Sequence, residues 1–169
     1  MNDTAVVNEN DEIIGAKSRS SVDGQRDIFR VAALWVVNSR GEVLVAQRSF
    51  QKSNSPGLWG PSVAGTVEPD ETYASNIVKE AAEEIGLTDF EPVEIAKIRI
   101  FKPRNYFCQW YFTQFDWPID KFKPSEAELE NLKWVKIDQL ALDVVANPSA
   151  YLANFGDSVK LLIDFLSRK

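Results

Sequence analysis

Apolar positions along the chain fall into short runs separated by clusters of turn-forming residues. Ala5-Val6-Val7 and Ile13-Ile14 flank a polar Asn8-Glu9-Asn10-Asp11 stretch, which predicts a small hairpin over residues 4–19. A polar loop follows, from Ser18 to Asp27. Val31 to Val37 predicts a strand, Asn38-Ser39-Arg40-Gly41 a turn, and Val43 to Gln47 a second strand, together a hairpin. Ser49 to Gly65 reads as loop, punctuated by Pro56, Gly57, Gly60, Pro61 and Gly65. The period then changes. Ile77, Ala81 and Ile85 recur at i, i+4, i+8 with Ala74 and Val78 beside them, the apolar face of a helix. Asp70 or Thr72 caps its start and Gly86 ends it. Val93 to Ile100 and Tyr106 to Phe115, rich in branched and aromatic residues, predict two more strands, the second stopped by Asp116 and Trp117-Pro118. An acidic connection, Glu126 to Asn131, leads into a short strand, Leu132 to Ile137. Helices are expected near Asp138–Leu142 and Asp157–Ser167. There is no repeat and no low-complexity tract, and residues 1–169 read as one domain of mixed order. The expected class is α/β (α+β), a layered sandwich.

Composition narrows the function. The net charge is −6, and an acidic surface argues against a nucleic-acid polymer as partner, which requires a basic footprint. It leaves room for a small anion received by a cation or a local basic cluster. The chain has one cysteine, Cys108, and no histidine. No internal disulfide can form, which suits a reducing cytosol. The commonest general base and the commonest zinc ligand are both missing. Catalysis near neutral pH therefore falls to carboxylates, lysines, tyrosines or metal-bound water. The N-terminus is polar and shows no signal peptide, and the longest apolar run is too short to span a bilayer. The expected location is the cytoplasm, with no membrane partner.

Glu80, Glu83 and Glu84 stand at i, i+3, i+4 on the predicted helix and so share one face. Unpaired, three such charges repel; a divalent cation reverses the sign, because hard cations take several oxygen ligands. For three glutamates alone, a solvated helix face is the simpler reading. The wider spacing changes this. Gly65, five residues, Glu71, seven residues, Lys79-Glu80-Ala81, one residue, Glu83-Glu84, one residue, Gly86-Leu87 closely resembles the Nudix box. The family's arginine is replaced by Lys79, and Ala81 is small for its aliphatic position.

That resemblance implies a Nudix-type α/β/α sandwich around a mixed β-sheet. It implies that Glu80, Glu83 and Glu84, joined by the backbone carbonyl of Ala64, bind Mg²⁺ or Mn²⁺, with Glu71 in support. It implies hydrolysis of a diphosphate linkage, in a nucleoside diphosphate or a related small molecule. Glu80 or Glu83 is the first choice for general base; Glu126, Glu128 and Glu130, from a loop outside the box, are further candidates. Lysine supplies charge at position 79 but not the planar fork of arginine.

The run Val45-Ala46-Gln47-Arg48-Ser49, then Lys52, Pro56-Gly57-Leu58-Trp59 and Ser62-Val63-Ala64-Gly65, is similar to the isopentenyl-diphosphate isomerase branch of the same superfamily. Asn8-Glu9, Ile14-Gly15, Arg19, Glu128-Leu129 and Trp134-Val135 fit it too. By that likeness Arg19, Arg48 and Lys52 hold a diphosphate. The isomerase uses a cysteine before the box glycine and a metal held largely by histidines. Here that position is Ala64 and histidine is absent. Trp59 beside the metal loop, and Tyr106, Phe107 and Trp110 on a strand, are candidate stacking surfaces for an organic group, and Arg99, Lys102 and Arg104 form a basic stretch. Three hypotheses follow: a metal-dependent diphosphate hydrolase, an isopentenyl-diphosphate isomerase, and a noncatalytic Nudix domain that binds a ligand. Oligomeric state is not legible.

Overall fold

The computed structural model describes residues 3–169. Their elements, in chain order, are β1 (Asp3–Val7), β2 (Ile13–Ser18), β3 (Ile28–Val37), β4 (Glu42–Arg48), β5 (Trp59–Gly60), β6 (Val63–Thr66), α1 (Tyr73–Ile85), β7 (Val93–Ile100), β8 (Tyr106–Gln114), β9 (Leu129–Lys136), α2 (Ile137–Ala146) and α3 (Phe155–Leu166). The architecture is a mixed sheet between helical layers.

β3 is the organising strand. Alternate residues serve opposite faces, as a strand's period of two requires. Ala32, Leu34 and Val36 enter one core with Ile77, Ala81 and Ile85 of α1. Ala33, Trp35 and Val37 enter the other, with Leu140 and Val144 of α2 and Val159 and Leu162 of α3. This double burial explains the uninterrupted apolar run, the usual mark of a strand covered on both sides.

One edge of β3 pairs in parallel with β8, from Phe29 opposite Tyr106 to Val37 opposite Gln114. The other edge is shared by β1 at Ile28–Phe29, β6 at Val31–Leu34 and β4 at Val37. The expected β3–β4 hairpin is thus real at its turn only. Beyond the Val37–Val43 pair the strands part, and β4 pairs instead with β9 and β5. The segment read from sequence as loop wedges into the opening, β5 against β4 and β6 against β3. Fully buried Ser62 bridges the gap: its Oγ donates to the Leu44 carbonyl (2.6 Å) and accepts from the Val36 N–H (2.9 Å). Two backbone groups stranded by the split are satisfied this way.

Other boundaries shift modestly. β9 begins at Leu129 rather than Leu132, because its register against Arg48 continues past a bulge. Both C-terminal helices are longer than expected. Thr72, not Asp70, caps α1: its Oγ1 accepts from the Ser75 N–H (3.0 Å), and its own N–H donates to Ser75 Oγ (2.9 Å). Gly86 closes the helix at φ 69°, a left-handed turn that glycine tolerates. Ala74 and Val78 face outward, so the apolar stripe of α1 is narrower than the pattern suggested.

Candidate active site

The site lies where β3 and β4 separate. β6 carries Ala64 and Gly65 across the opening and packs against α1. The fit is close: a Cβ at Gly65 would stand 2.3 Å from Glu80 Cγ and 2.4 Å from Cδ. Only the missing side chain lets Glu80 approach the strand.

The three helical glutamates differ in environment. Glu84 is buried, and its carboxyl is pushed up to about 8, first by desolvation and then by repulsion from Glu80 and Glu128. The backbone of Ala64 and the charge of Arg48 oppose that shift only in part. Glu80 is half-buried and also raised, by desolvation with repulsion from Glu83 and Glu71, against the fields of Lys79 and Arg19. Glu83 is exposed. Among the described residues, no three acidic side chains converge closely enough to form a finished cage. The donor set is nonetheless that of a hard divalent cation: carboxylate oxygens on one helical stripe, with a buried member, Glu84, that makes no salt bridge among the described residues.

Glu71 and Lys79 form a second layer. Lys79 Nζ donates to Glu68 (3.0 Å) and also bonds Glu71. Burial works against the lysine's charge, yet the two carboxylates outweigh it and its pKa is raised. Glu71 Oε2 accepts from the Glu68 N–H (3.0 Å) and from Asn76 Nδ2 (2.8 Å), which also reaches the Thr66 carbonyl (3.2 Å). Lys79 therefore braces the turn between β6 and α1 and makes no salt bridge to Glu80, Glu83 or Glu84. Lys79→Met is expected to cost about 1–2 kcal/mol, since it leaves two partly buried carboxylates without their cation, while Lys79→Arg should retain most of that stability. Urea denaturation of both variants checks this. Asn76, fully buried, was not singled out from sequence. Its signal was its position, four residues before Glu80 on the same stripe.

Arg19, Arg48 and Arg104 line a cavity of about 210 Å³ whose floor includes Ala64, Gly65 and Thr66. Arg48 is half-buried; desolvation lowers its pKa, offset by Glu84 and Glu128. Its Nε donates to the Asn54 carbonyl (3.1 Å). Arg104 arrives from the loop between β7 and β8 and lies over the Phe29 ring, 4.7 Å from its centroid. Lys52 does not line this cavity; it forms an ion pair with Glu128, and Glu128 shares a small cleft with Arg48, Glu84 and Ala64. Neither Glu126 nor Glu130 lines that cleft.

Beside the arginine cavity, sharing Val31 and Ala64 with it, is a larger and mainly apolar one of about 370 Å³. Tyr106 and Trp110 line it, as do Ile98, Leu152 and Phe155. Trp59 lines neither; its ring packs under Lys133 Nζ, 4.0 Å from the centroid, with its strand bridged to Tyr151. Phe107 lies on the other side of β8, against Arg99 and Lys97. Cys108 is a buried free thiol beneath the apolar cavity, and desolvation raises its pKa, which makes it inert.

An α/β/α sandwich whose split sheet sets a glycine strand against a glutamate helix defines a recognisable class of protein. The model of the NUDIX domain matches residues 28–155, and the chain belongs to the Nudix family. It is 27% identical over 147 residues to an isopentenyl-diphosphate Delta-isomerase of Klebsiella pneumoniae, covering 79% of this chain and 78% of that one. It is 34% identical over 120 residues to an uncharacterized Nudix hydrolase of Nostoc, covering 68% and 70%. Among solved structures it is similar to DR0079 from Deinococcus radiodurans, with a TM-score of 0.82 at 24% identity, over 94% and 97% of the two chains. No helix among the described residues is long and apolar enough to cross a membrane.

Proposed function

We propose that this protein is a metal-dependent hydrolase of a small molecule with a diphosphate linkage, acting in the cytoplasm. The observation that carries the reading is the juxtaposition of two opposite fields on one strand. β6 has the box glutamates on its helix side and a three-arginine cavity reaching Gly65 and Thr66.

Glu80, Glu83 and Glu84, with the Ala64 carbonyl, are the groups that would hold Mg²⁺ or Mn²⁺. Such an ion, when bound, offsets the carboxylates' repulsion, polarises a phosphoryl oxygen and makes water nucleophilic near neutral pH. The protein supplies the rest. Arg48 and Arg19 bind the diphosphate through charge-assisted hydrogen bonds, and Arg104 joins them. Lys52 is held ready by Glu128 at the rim. Glu80 or Glu83 takes the proton lost from the attacking water. The Lys79–Glu71–Asn76 network keeps the β6–α1 turn in register with both. The apolar cavity past Val31 and Ala64 receives the organic group joined to the diphosphate, with Tyr106 and Trp110 as its aromatic walls.

The isomerase reading is disfavoured by particular residues. Ala64 stands before the box glycine, the chain has no histidine, and Cys108 is a buried thiol in the wall of the apolar cavity whose pKa desolvation raises. The test is a panel of nucleoside and non-nucleoside diphosphates assayed with Mg²⁺, Mn²⁺ and EDTA. Metal-dependent release of monophosphate is expected. Tight ligand binding without turnover would favour a noncatalytic domain, and formation of dimethylallyl diphosphate would restore the isomerase.

A further inference from the structure

Asp11 sits in the turn between β1 and β2 with a side chain only 6% exposed and a φ of 62°, a left-handed conformation that aspartate adopts more readily than most residues. Its carboxylate collects donors from three separate elements. Arg30 Nε of β3 donates at 2.7 Å, Lys97 Nζ of β7 at 2.6 Å, and the Tyr73 hydroxyl at the first residue of α1 at 2.9 Å. Arg30 also donates to the Asp11 carbonyl. Burial pushes the carboxyl up, but these donors outweigh it and the pKa is lowered. A buried charge with this many partners is expensive to disturb.

What the turn controls lies at the other end of the hairpin. Thr4 of β1 and Arg19, the residue after β2, both line the arginine cavity, and Val22 follows them. Thr4, Ala5, Val6 and Val7 of β1 are buried, yet the hairpin's backbone ties to the sheet are few. β1 pairs with β3 at two positions only and adds one bond from the Ala5 N–H to the Val67 carbonyl (3.2 Å). β2 pairs only with β1, and most of its residues are exposed. Arg19 makes no salt bridge among the described residues. Its place is thus set by the hairpin, which is fixed at its tip by the Asp11 cluster with the Glu9–Arg99 ion pair beside it, and nearer Arg19 by the Lys17–Asp27 ion pair (2.7 Å).

We propose that Asp11 is a positioning residue for anion binding: its clamp on Arg30, Tyr73 and Lys97 fixes the β1–β2 hairpin as the wall that presents Arg19 to the cavity. This rests on the assignment of that cavity to the diphosphate. Asp11→Asn keeps the shape and removes the charge. Tyr73→Phe removes one donor and leaves the ion pairs, so it tests the clamp in a milder form should the first variant fold poorly.

The experiment measures inorganic pyrophosphate binding by calorimetry for the wild type, Asp11→Asn, Tyr73→Phe, Arg19→Ala and the Asp11→Asn/Arg19→Ala double variant. Hydrogen exchange of residues 3–19 is followed in parallel. Asp11→Asn and Arg19→Ala are each expected to weaken binding roughly tenfold, as a displaced binding group does. The double variant should be no weaker than Arg19→Ala alone, because both changes remove one interaction. Tyr73→Phe should give a smaller loss in the same direction, and exchange in the hairpin should quicken in both clamp variants. Where Arg19→Ala weakens binding and the clamp variants do not, or where the double variant shows the full product of the two losses, the clamp has no positioning role. Where Arg19→Ala leaves binding unchanged, the assignment of the cavity itself fails and this inference with it.

Discussion

Glu84→Gln is expected to lower turnover by at least about 100-fold and, in metal-free protein, to raise stability above neutral pH. Both effects have one cause. Glu84 is buried beside Glu80 and Glu128, and its carboxyl is pushed up to about 8 chiefly by desolvation. An acid whose folded pKa lies above its unfolded value binds more protons folded than unfolded. Its contribution to stability is therefore intact below the ordinary glutamate range near 4.5 and is lost progressively as pH rises towards 8. Glutamine keeps the shape and cannot ionise. The melting temperature of the variant should thus match the wild type's near pH 4.5 in EDTA and exceed it increasingly up to pH 8, each 1 kcal/mol being worth about 2–4 °C in a chain of this size. Added Mg²⁺ should then stabilise the wild type by mass action and the variant much less. Thermal melts in EDTA and in Mg²⁺ across this range, paired with initial rates, read both quantities. A variant within tenfold of wild-type turnover would remove Glu84 from the metal set. Melting differences that ignore pH would mean its charge is not strained in the fold.

Local patterns were legible, and nonlocal ones were not. Helical spacing put Glu80, Glu83 and Glu84 on one stripe, because three and four residues are a helix turn whatever surrounds it. It could not show that Glu84 is buried while Glu83 is exposed, which depends on where β6 and the Glu128 loop come to rest. The β3–β4 turn was readable from Asn38 to Gly41, but not the separation beyond it. That depends on Ser62, which meets Val36 and Leu44 only after β6 has entered the gap. Arg48 was expected to meet a diphosphate from the likeness to the isomerase branch, and it lines the cavity shared with Arg19 and Arg104. Arg104 belonged to a basic stretch with Arg99 and Lys102 for which a solvated loop was the simpler reading and a phosphate contact the alternative, and it reaches the same cavity because β8 runs parallel to β3 and sets that loop above Phe29. Trp59 is the opposite case: near the site in sequence, it faces Lys133 instead. Asp11 carried no signal at all. Its donors lie 19, 62 and 86 residues away, and in the sequence it is one polar residue among four in a turn.

Gly65→Ala is expected to reduce kcat by about 100-fold while changing the melting temperature by only a few degrees. Glycine is not required here by backbone conformation, since Gly65 is absent from the left-handed region where Gly41, Gly57 and Gly86 lie. Alanine in the unfolded chain even has less freedom to lose, a gain of about 0.4–1 kcal/mol. What forbids it is Glu80, whose Cγ and Cδ occupy the space a methyl group would need. The side chain of Glu80 is flexible and can swing away, so the fold survives. The carboxylate that swings is one of the three proposed to hold the metal and one of the two proposed to receive the proton, and a displacement of about 1 Å is enough to cost two orders of magnitude. Pyrophosphate affinity without metal should change far less than kcat, because Arg48 and Arg104 make no salt bridge to Glu80 among the described residues and, of the cavity's arginines, only Arg19 acts on its charge. The Gly65→Ala/Glu80→Ala double variant separates the causes. Removing the carboxylate relieves the crowding, so its stability should return to or above that of Glu80→Ala, and activity should stay as low as in either single variant. Wild-type kcat in Gly65→Ala would show that the close approach of strand and helix is a packing detail, and that the glycine is kept in this position for some reason other than Glu80.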